Sequence, residues 1–458
     1  MINSFVLAAM APLLLFPKPQ ELTRSEGEAE FKNIDAAIKY SEDKTLPKEG
    51  YTLEVTPEAI LIAASDKAGK FYAKVTLDQL RDGDKLPLVK IKDWPQYPWR
   101  GLLLDDCRHF MGKDHVKKTL KAMAMNKMNR LHWHLTDDQA WRIDVPAYPD
   151  LVKYGSVSNQ YYTAGDLKEV VDFAAKLHIT VVPEIEMPGH ARAALAAYPQ
   201  YSCFPDKCPR EPRHGWGVDP IIFCAGNPDT FKFLESVLDY VISIFPGEYI
   251  HCGGDEAPKR EWKACPKCQA VITKAGLDGE QALQTWFTGK MAEYLSQRGK
   301  RLIGWDEIVA DGLDKRAIVM SWRGTAGGIR AANAGHDVIM TPIDNCYLDY
   351  PQKVKDDPYR YPRVKNVTLG SSMMFSPTSK IESDEAKAHI LGGQGNVWAE
   401  HIFDGKDFDW KAWPRACALA EALWTAPKGR RHYDDMARRL GPMVKRLKEL
   451  GVNVAPIP

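Results

Sequence analysis

Apolar and polar positions change rhythm near residue 99. Before it the pattern is mixed. Leu13 to Phe16 reads as a strand stopped by Pro17, Tyr51 to Val55 alternates with a period of two, and Ala59 to Ala64 reads as a further strand. Asp66 to Leu80 has helical spacing, with Phe71, Val75 and Leu80 on one side. A proline- and tryptophan-rich join, Trp94 to Trp99, ends this part. Short apolar runs then alternate with amphipathic stretches. Leu102–Leu104, Arg130–Leu135, Ile179–Glu184, Tyr249–Cys252, Leu302–Trp305, Ile318–Trp322, Asp337–Thr341 and Ile390–Trp398 read as strands. Helices are expected over Lys113–Met125, Ala164–Leu177, Asp229–Ile244 and Glu280–Arg298, and Trp410 to Leu450 reads as helical with Lys and Arg on its outer face. Eight strands mostly alternating with helices predict an α/β fold: a (β/α)8 TIM barrel over 99–458, preceded by a short α/β domain over 1–98.

Composition narrows the function classes. The chain has 458 residues, 45% hydrophobic and 26% charged, which is enough for a large core. Its 61 basic and 60 acidic residues leave a net charge of +1, so nothing points to nucleic acid. No apolar run is long enough to span a bilayer. Residues 1–11 are mostly apolar and end in Ala9-Met10-Ala11, a small-residue cleavage pattern without a charged start. They read either as the remnant of an export signal, implying an extracellular or periplasmic protein, or as the first strand of the fold. Nine cysteines are present, and Cys203, Cys208, Cys224, Cys265 and Cys268 cluster in the sequence. Disulfides are the expectation for an exported chain. A zinc site built from Cys265-Pro-Lys-Cys268 and two of the other three is the alternative.

The candidate chemistry lies where the strands stop, the end of a TIM barrel that carries active sites. His251-Cys-Gly-Gly-Asp255-Glu256 puts two carboxylates side by side after a short strand and two glycines. Such a pair repels unless a cation or a proton intervenes, and a carboxyl kept neutral near pH 7 suits a general acid. Other strand ends supply Asp105, Asp106, Arg108 and His109, then His132, His134, Asp137 and Asp138, then Glu184, Glu186 and His190. Later ends supply Trp305, Asp306 and Glu307, then Trp322, Asp344 to Asp349, and Trp398 with Glu400. Each has a bland alternative: Asp255, Asp306 and Glu307 as helix caps, His109 as structural, and His132 with His134 as a hydrogen-bonded core pair.

Taken in order, these motifs resemble the β-N-acetylhexosaminidases of glycoside hydrolase family 20, in their bacterial form. The resemblance rests on Arg100-Gly-Leu-Leu-Leu-Asp-Asp-Cys-Arg108, Leu131-His-Trp-His-Leu-Thr-Asp137-Asp, Pro183-Glu-Ile-Glu-Met-Pro-Gly-His190 and Gly253-Gly-Asp255-Glu256. It continues through Gly304-Trp-Asp-Glu307, Met320-Ser-Trp322, Tyr347-Leu-Asp349 and Gly392-Gly-Gln-Gly-Asn-Val-Trp398-Ala-Glu400, covering about 99–425. It implies an exo-acting retaining hydrolase of terminal β-linked N-acetylhexosamine (GlcNAc or GalNAc), in which the substrate's own acetamido group is the nucleophile and an oxazolinium forms. Carried over, Glu256 is the acid and later the base, and Asp255 orients the acetamido N–H, with the implied arrangement a solvated Asp255 beside a more enclosed Glu256. Tyr347 donates to the acetamido oxygen, and Asp137 and His190 form a relay behind the acid. Trp305, Trp322 and Trp398 line the sugar pocket, and Arg108, Asp349 and Glu400 bind ring hydroxyls. Glu186 stands where many members have Asp. No cofactor is expected, and the partner is an N-acetylhexosamine-terminated glycan. The competing readings are a metal-dependent hydrolase using His132, His134, His190 and Asp255, and a catalytically inactive sugar-binding protein.

Overall fold

A computed structural model describes residues 12–355, 357–358, 365–429 and 432–458, so residues 1–11 lie outside it. The first sheet contains β1 (Glu21–Glu30), β2 (Ile38–Glu42), β3 (Tyr51–Val55), β4 (Ile60–Ala64) and β5 (Lys85–Asp93). Its order is β1-β5-β3-β4-β2, and only the β2–β4 pair is parallel. The segment Leu13–Phe16 is not a strand. The backbone N–H and C=O of Phe16 are taken by the Gln79 side chain, at 2.8 and 2.6 Å, instead of by a ladder.

Lys67–Leu80 is helical and begins where Asp66 accepts a hydrogen bond from the Gly69 N–H at 2.8 Å. Its fully buried stripe is Tyr72, Ala73, Thr76, Leu77 and Leu80, set round from the expected Phe71 and Val75. The helix has two apolar faces. One lies on its own sheet, while Phe71 also packs against the core of the following barrel.

The second sheet closes on itself. Its strands are β6 (Trp99–Asp105), β7 (Arg130–His134), β8 (Thr180–Glu184), β9 (Tyr249–His251), β10 (Arg301–Trp305), β11 (Ile318–Ser321), β12 (Val338–Met340) and β13 (Ile390–Val397). All eight run parallel, β13 pairing with β6 to close the barrel. Each coincides with a strand read from the sequence. Inside, Trp99, Leu103, Val182, Ile303, Ile318, Met320 and Ile339 form a packed plug. Outside, helices such as Lys113–Met125, Ala164–Lys176, Pro228–Ile244 and Gly279–Ser296 cover the strands.

The C-terminal region is helical as expected, and its last helix exposes Arg438, Lys445 and Lys448, but the basic face does not extend over the whole stretch. It forms Gly405–Ala412, Arg415–Trp424 and Tyr433–Glu449, and every residue of the middle helix is buried. Lys411, Arg415 and Arg439 are buried as well. Arg415 donates to the Tyr350 and Val367 carbonyls at 2.9 and 2.6 Å, and Arg439 pairs with Glu421 at 2.8 Å. These cations tie loops together rather than facing water. Among the described residues, no helix is long and apolar enough to cross a membrane.

Trp424 enters the core of the first sheet and donates its indole N–H to Asp93 at 2.9 Å. Asp93 also receives Tyr51 Oη at 2.7 Å and Lys127 Nζ at 2.8 Å, with all four side chains buried. An Asp93→Asn variant keeps the shape but leaves the Lys127 charge unbalanced. We expect it to lower unfolding stability by about 1–3 kcal/mol. Denaturant unfolding checks this, and an unchanged midpoint would refute the role.

Candidate active site

Two strand exits interlock at the C-terminal mouth of the barrel. After β9 the chain runs through Gly253 and Gly254 at φ +60 and +96, and Glu256 is held at φ +44. A Cβ on Gly253 would sit 1.6 Å from Glu186 Oε2, so glycine is what allows the Glu186 carboxyl to lie against this turn. The exit of β8 runs beside it, with Ile185 N–H donating to His251 O at 2.9 Å and Met187 N–H to Cys252 O at 3.3 Å.

His190 is the joint of the site. Its Nδ1 lies 3.1 Å from Asp137 and 3.5 Å from Asp138, and its Nε2 lies 3.7 Å from Asp255 and 3.6 Å from Glu256. Burial acts against its charge, but Asp137 and Asp255 hold its pKa well above the usual value. His190 therefore bridges Asp137 to both carboxylates, not to Glu256 alone. Arg108 extends this bridge, contacting Asp137 at 2.8 Å, Asp105 at 3.0 Å and the Gln139 side-chain oxygen at 3.0 Å. Of its five N–H donors these contacts use three, so the fork still has donors for a ligand.

The environments of the two acids are the reverse of the expected ones. Asp255 is the enclosed member, 14% exposed, and burial is the main cause that raises its pKa to about 6. Glu256 is 44% exposed, and its contact with His190 lowers its pKa. The reason lies in the backbone: the β9 exit turns Asp255 down among Glu184, His190 and Asp137 while Glu256 projects over the mouth. Asp255 Oδ1 is buried and accepts no hydrogen bond from the described residues.

Across the mouth, Tyr347 stacks on Trp322 with ring centres 6.0 Å apart and planes at 24°. Burial is the chief cause holding the Tyr347 phenol well above its ordinary pKa, helped by the Asp349, Asp255 and Glu307 charges. Trp398 is half-buried, with the Arg108 guanidinium 5.2 Å above its ring. Trp305 is only 1% exposed. It lies beneath Trp398 and donates its N–H to Glu184 at 2.8 Å, so it braces the cup more than it lines it. Glu400 is half-buried beside Arg108. Asp349 is buried, where its charge reaches Arg415 and Lys411 as well as Tyr347.

Glu184 and Glu307, strand-end residues to which the resemblance gives no role, matter here. Glu184 receives Trp305 and stands 2.7 Å from His251, 2.5 Å from His134 and 3.0 Å from His132. Glu307 accepts the Trp322 N–H at 2.9 Å, and burial first, then the Asp255 charge, raises its pKa to about 8. Both sit at strand ends in the motifs already noted, but their partners lie far along the chain. Asp306 does not cap a helix; it receives Arg323 at 2.8 Å. His109 bonds the Ala399 carbonyl at 2.6 Å, a structural use.

The imidazoles of the metal-hydrolase reading each lie against carboxylates of the barrel mouth. Both nitrogens of His134 meet carboxylates, Glu184 and Asp137, and His132 sits between Gln394 and Glu184. The expected disulfides are also absent among the described residues, where all nine cysteines are free. Cys203, Cys224, Cys265 and Cys268 nevertheless converge, while Cys208 stands apart and bonds the Leu195 carbonyl.

Paired acids beside an imidazole, facing an aromatic cup on this barrel, suit the cleavage of a glycosidic bond, and the chain is of the glycoside hydrolase class. More narrowly, it belongs to glycosyl hydrolase family 20. The family's catalytic domain matches residues 97–427 and its domain 2 matches residues 18–94. A beta-hexosaminidase of Porphyromonas gingivalis is 41% identical over 94% of this chain, which spans 57% of that relative. One of Akkermansia muciniphila is 36% identical over 94% of this chain and 90% of its own length. The crystal structure of a Flavobacterium johnsoniae chitobiase superposes with a TM-score of 0.86 at 32% identity, covering 96% of this chain and 73% of that one.

Proposed function

We infer that the chain is an exo-acting, retaining β-N-acetylhexosaminidase that removes terminal GlcNAc or GalNAc by substrate-assisted catalysis. The observation that carries the reading is Asp255 Oδ1, a buried acceptor without a partner, set beside Glu256 and under His190. Leaving such an atom unpaired costs about 1–3 kcal/mol, which a ligand N–H recovers. In this reading the acetamido N–H bonds Asp255 and the acetamido oxygen takes the Tyr347 hydroxyl. The acetamido carbonyl then attacks the anomeric carbon as Glu256 protonates the departing glycosidic oxygen. Glu256 next takes a proton from water, which opens the oxazolinium with overall retention. Trp322 and Trp398 flank the sugar, with Trp305 behind them. Arg108, Glu400 and Asp349 serve the ring hydroxyls. The family match and the 41% and 36% identical hexosaminidases support this assignment. Export to the periplasm or the exterior belongs to the same proposal, motivated by residues 1–11, and cell fractionation tests it.

The test is turnover of a chromogenic GlcNAc β-glycoside, read as a pH profile. The reacting form needs one proton on the acid pair, carried by Glu256. Without substrate the pair loses its last proton near the raised Asp255 value, about 6. Because kcat/KM reports the free enzyme, it should fall as pH rises through about 6. A bound sugar covers Glu256 and favours its neutral form, so kcat should persist to higher pH. No turnover would overturn the function. Turnover with kcat/KM flat through pH 6 would overturn only the one-proton assignment.

A further inference from the structure

We propose that Cys203, Cys224, Cys265 and Cys268 form a structural zinc-tetrathiolate centre that pins the long loop after β8 to the segment after the catalytic acids. The four sulfurs lie within 4.8 Å of one another. Cys203–Cys268 and Cys224–Cys265 are 3.8 Å apart, and Cys224–Cys268 is 3.6 Å. A tetrahedral zinc with bonds of about 2.3 Å sets sulfur–sulfur edges of about 3.8 Å. A disulfide needs about 2.05 Å, and two separate disulfides would not bring Cys224 equally near Cys265 and Cys268.

The surroundings are built for such an ion. Cys224, Cys265 and Cys268 are buried and Cys203 is half-buried, so the centre is closed to solvent on most sides. Cys265 is the N-cap residue of helix Pro266–Ala275, and no side chain caps that helix. The positive end of the helix dipole thus meets thiolates. Two residues after Cys224, Gly226 lies so close that a Cβ would be 2.2 Å from the Lys267 carbonyl carbon and 2.4 Å from Cys268 N. The two ligand-bearing backbones are therefore in direct contact, which is how a metal knuckle is approached. Trp262, itself buried, locks the junction by donating its indole N–H to Phe223 O at 2.8 Å. Binding deprotonates all four thiols, so one Zn2+ enters as four protons leave.

The position gives the centre a job. Cys203 and Cys224 mark the two ends of one loop, whose base is closed by the Ser202–Phe223 bridge. That loop returns to the active site: Gly215 O accepts from Gln139 at 3.0 Å, and Asp219 N–H donates to Asp138 at 3.2 Å. Gln139 holds Arg108, and Asp138 faces His190. The metal thus braces, at a distance, the groups that hold the relay.

The test begins with the wild-type chain, purified with reductant and without added metal. We expect close to one zinc per chain, retained through EDTA and released when a mercurial titrates the cysteines. X-ray absorption at the zinc edge should show four sulfur neighbours at about 2.3 Å. Cys203→Ser and Cys268→Ser should each lower the zinc content and the melting temperature. In the folded fraction after zinc release, hydrogen exchange over residues 203–224 should quicken, KM should rise severalfold and turnover should remain. Metal-free protein with free thiols, four cysteines oxidised in pairs, or iron in place of zinc would each overturn the assignment. The wild-type metal content and spectrum decide it even if the variants fail to fold.

Discussion

Glu256→Gln should lower kcat/KM on a GlcNAc disaccharide by ~10²–10⁴-fold, the usual scale of general acid–base catalysis. Glutamine keeps the length of the side chain and its contact with His190, 3.6 Å away in the native site. What it removes is the proton. A poor leaving group such as a sugar hydroxyl needs that proton in the transition state, whereas a strongly acidic phenol departs nearly unaided. The loss on an aryl glycoside with such a phenol should therefore be much smaller for the first step. Glu256 is exposed and its contact with His190 lowers its pKa, so the proposed acid role relies on a bound glycan covering it. Equal losses on both substrates would show that Glu256 is not the acid.

The elements of the barrel are legible because most strands are short apolar runs bounded by turns and helices such as Pro228–Ile244 show one apolar stripe. Local patterns of that kind need no knowledge of the partner. Most of the differences concern partners. Helix Lys67–Leu80 packs on two bodies, with Phe71 reaching the barrel core and Leu80 the core of its own sheet, so its apolar spacing alone does not single out the buried face. Arg415 and Arg439 look like surface cations in a helical pattern, but backbone carbonyls and Glu421 bury them. Glu184 looks like one strand-end acid among many until β7, β9 and β10 bring His134, His251 and Trp305 to it. The cysteines show the same limit. Their spacing left zinc and disulfides open, and the approach of Gly226 to Lys267 is a tertiary fact.

The acid pair shows where motif matching stops. The adjacent Asp255 and Glu256, and the order of motifs around them, were visible in the chain, and so was the need for their pKa values to differ. Which one is enclosed was not, because that depends on how the Gly253–Gly254 turn aims each side chain. With Asp255 inside and Glu256 against His190, the raised pKa falls on Asp255 and the lowered one on Glu256. In the proposed reading, covering Glu256 with substrate is what favours its protonated form, and substrate truncation is then expected to cost kcat as well as KM.

The same geometry predicts that a thiazoline mimic of the cyclised intermediate should lose about 10–100-fold in affinity on Asp255→Ala, the loss of one charge-assisted hydrogen bond. The mimic carries the ring that the acetamido group forms, and when protonated its N–H finds the otherwise unpaired Asp255 Oδ1. Turnover should fall further than affinity, ~10²–10³-fold, because the positive charge on the ring grows only toward the transition state. The pH dependence separates this from a packing defect. Asp255, with its pKa raised to about 6, is neutral below that pH and ionised above it. Wild-type affinity for the mimic should therefore strengthen as pH rises through about 6, until the mimic itself loses its proton. In Asp255→Ala that strengthening should vanish. Asp255→Asn should lose it too while restoring the shape of the pocket, since an amide cannot supply the charge. Isothermal titration across this range reads all three proteins. If Asp255→Ala binds the mimic as tightly as wild type, with the same rise through pH 6, Asp255 does not touch the acetamido group and the substrate-assisted reading fails.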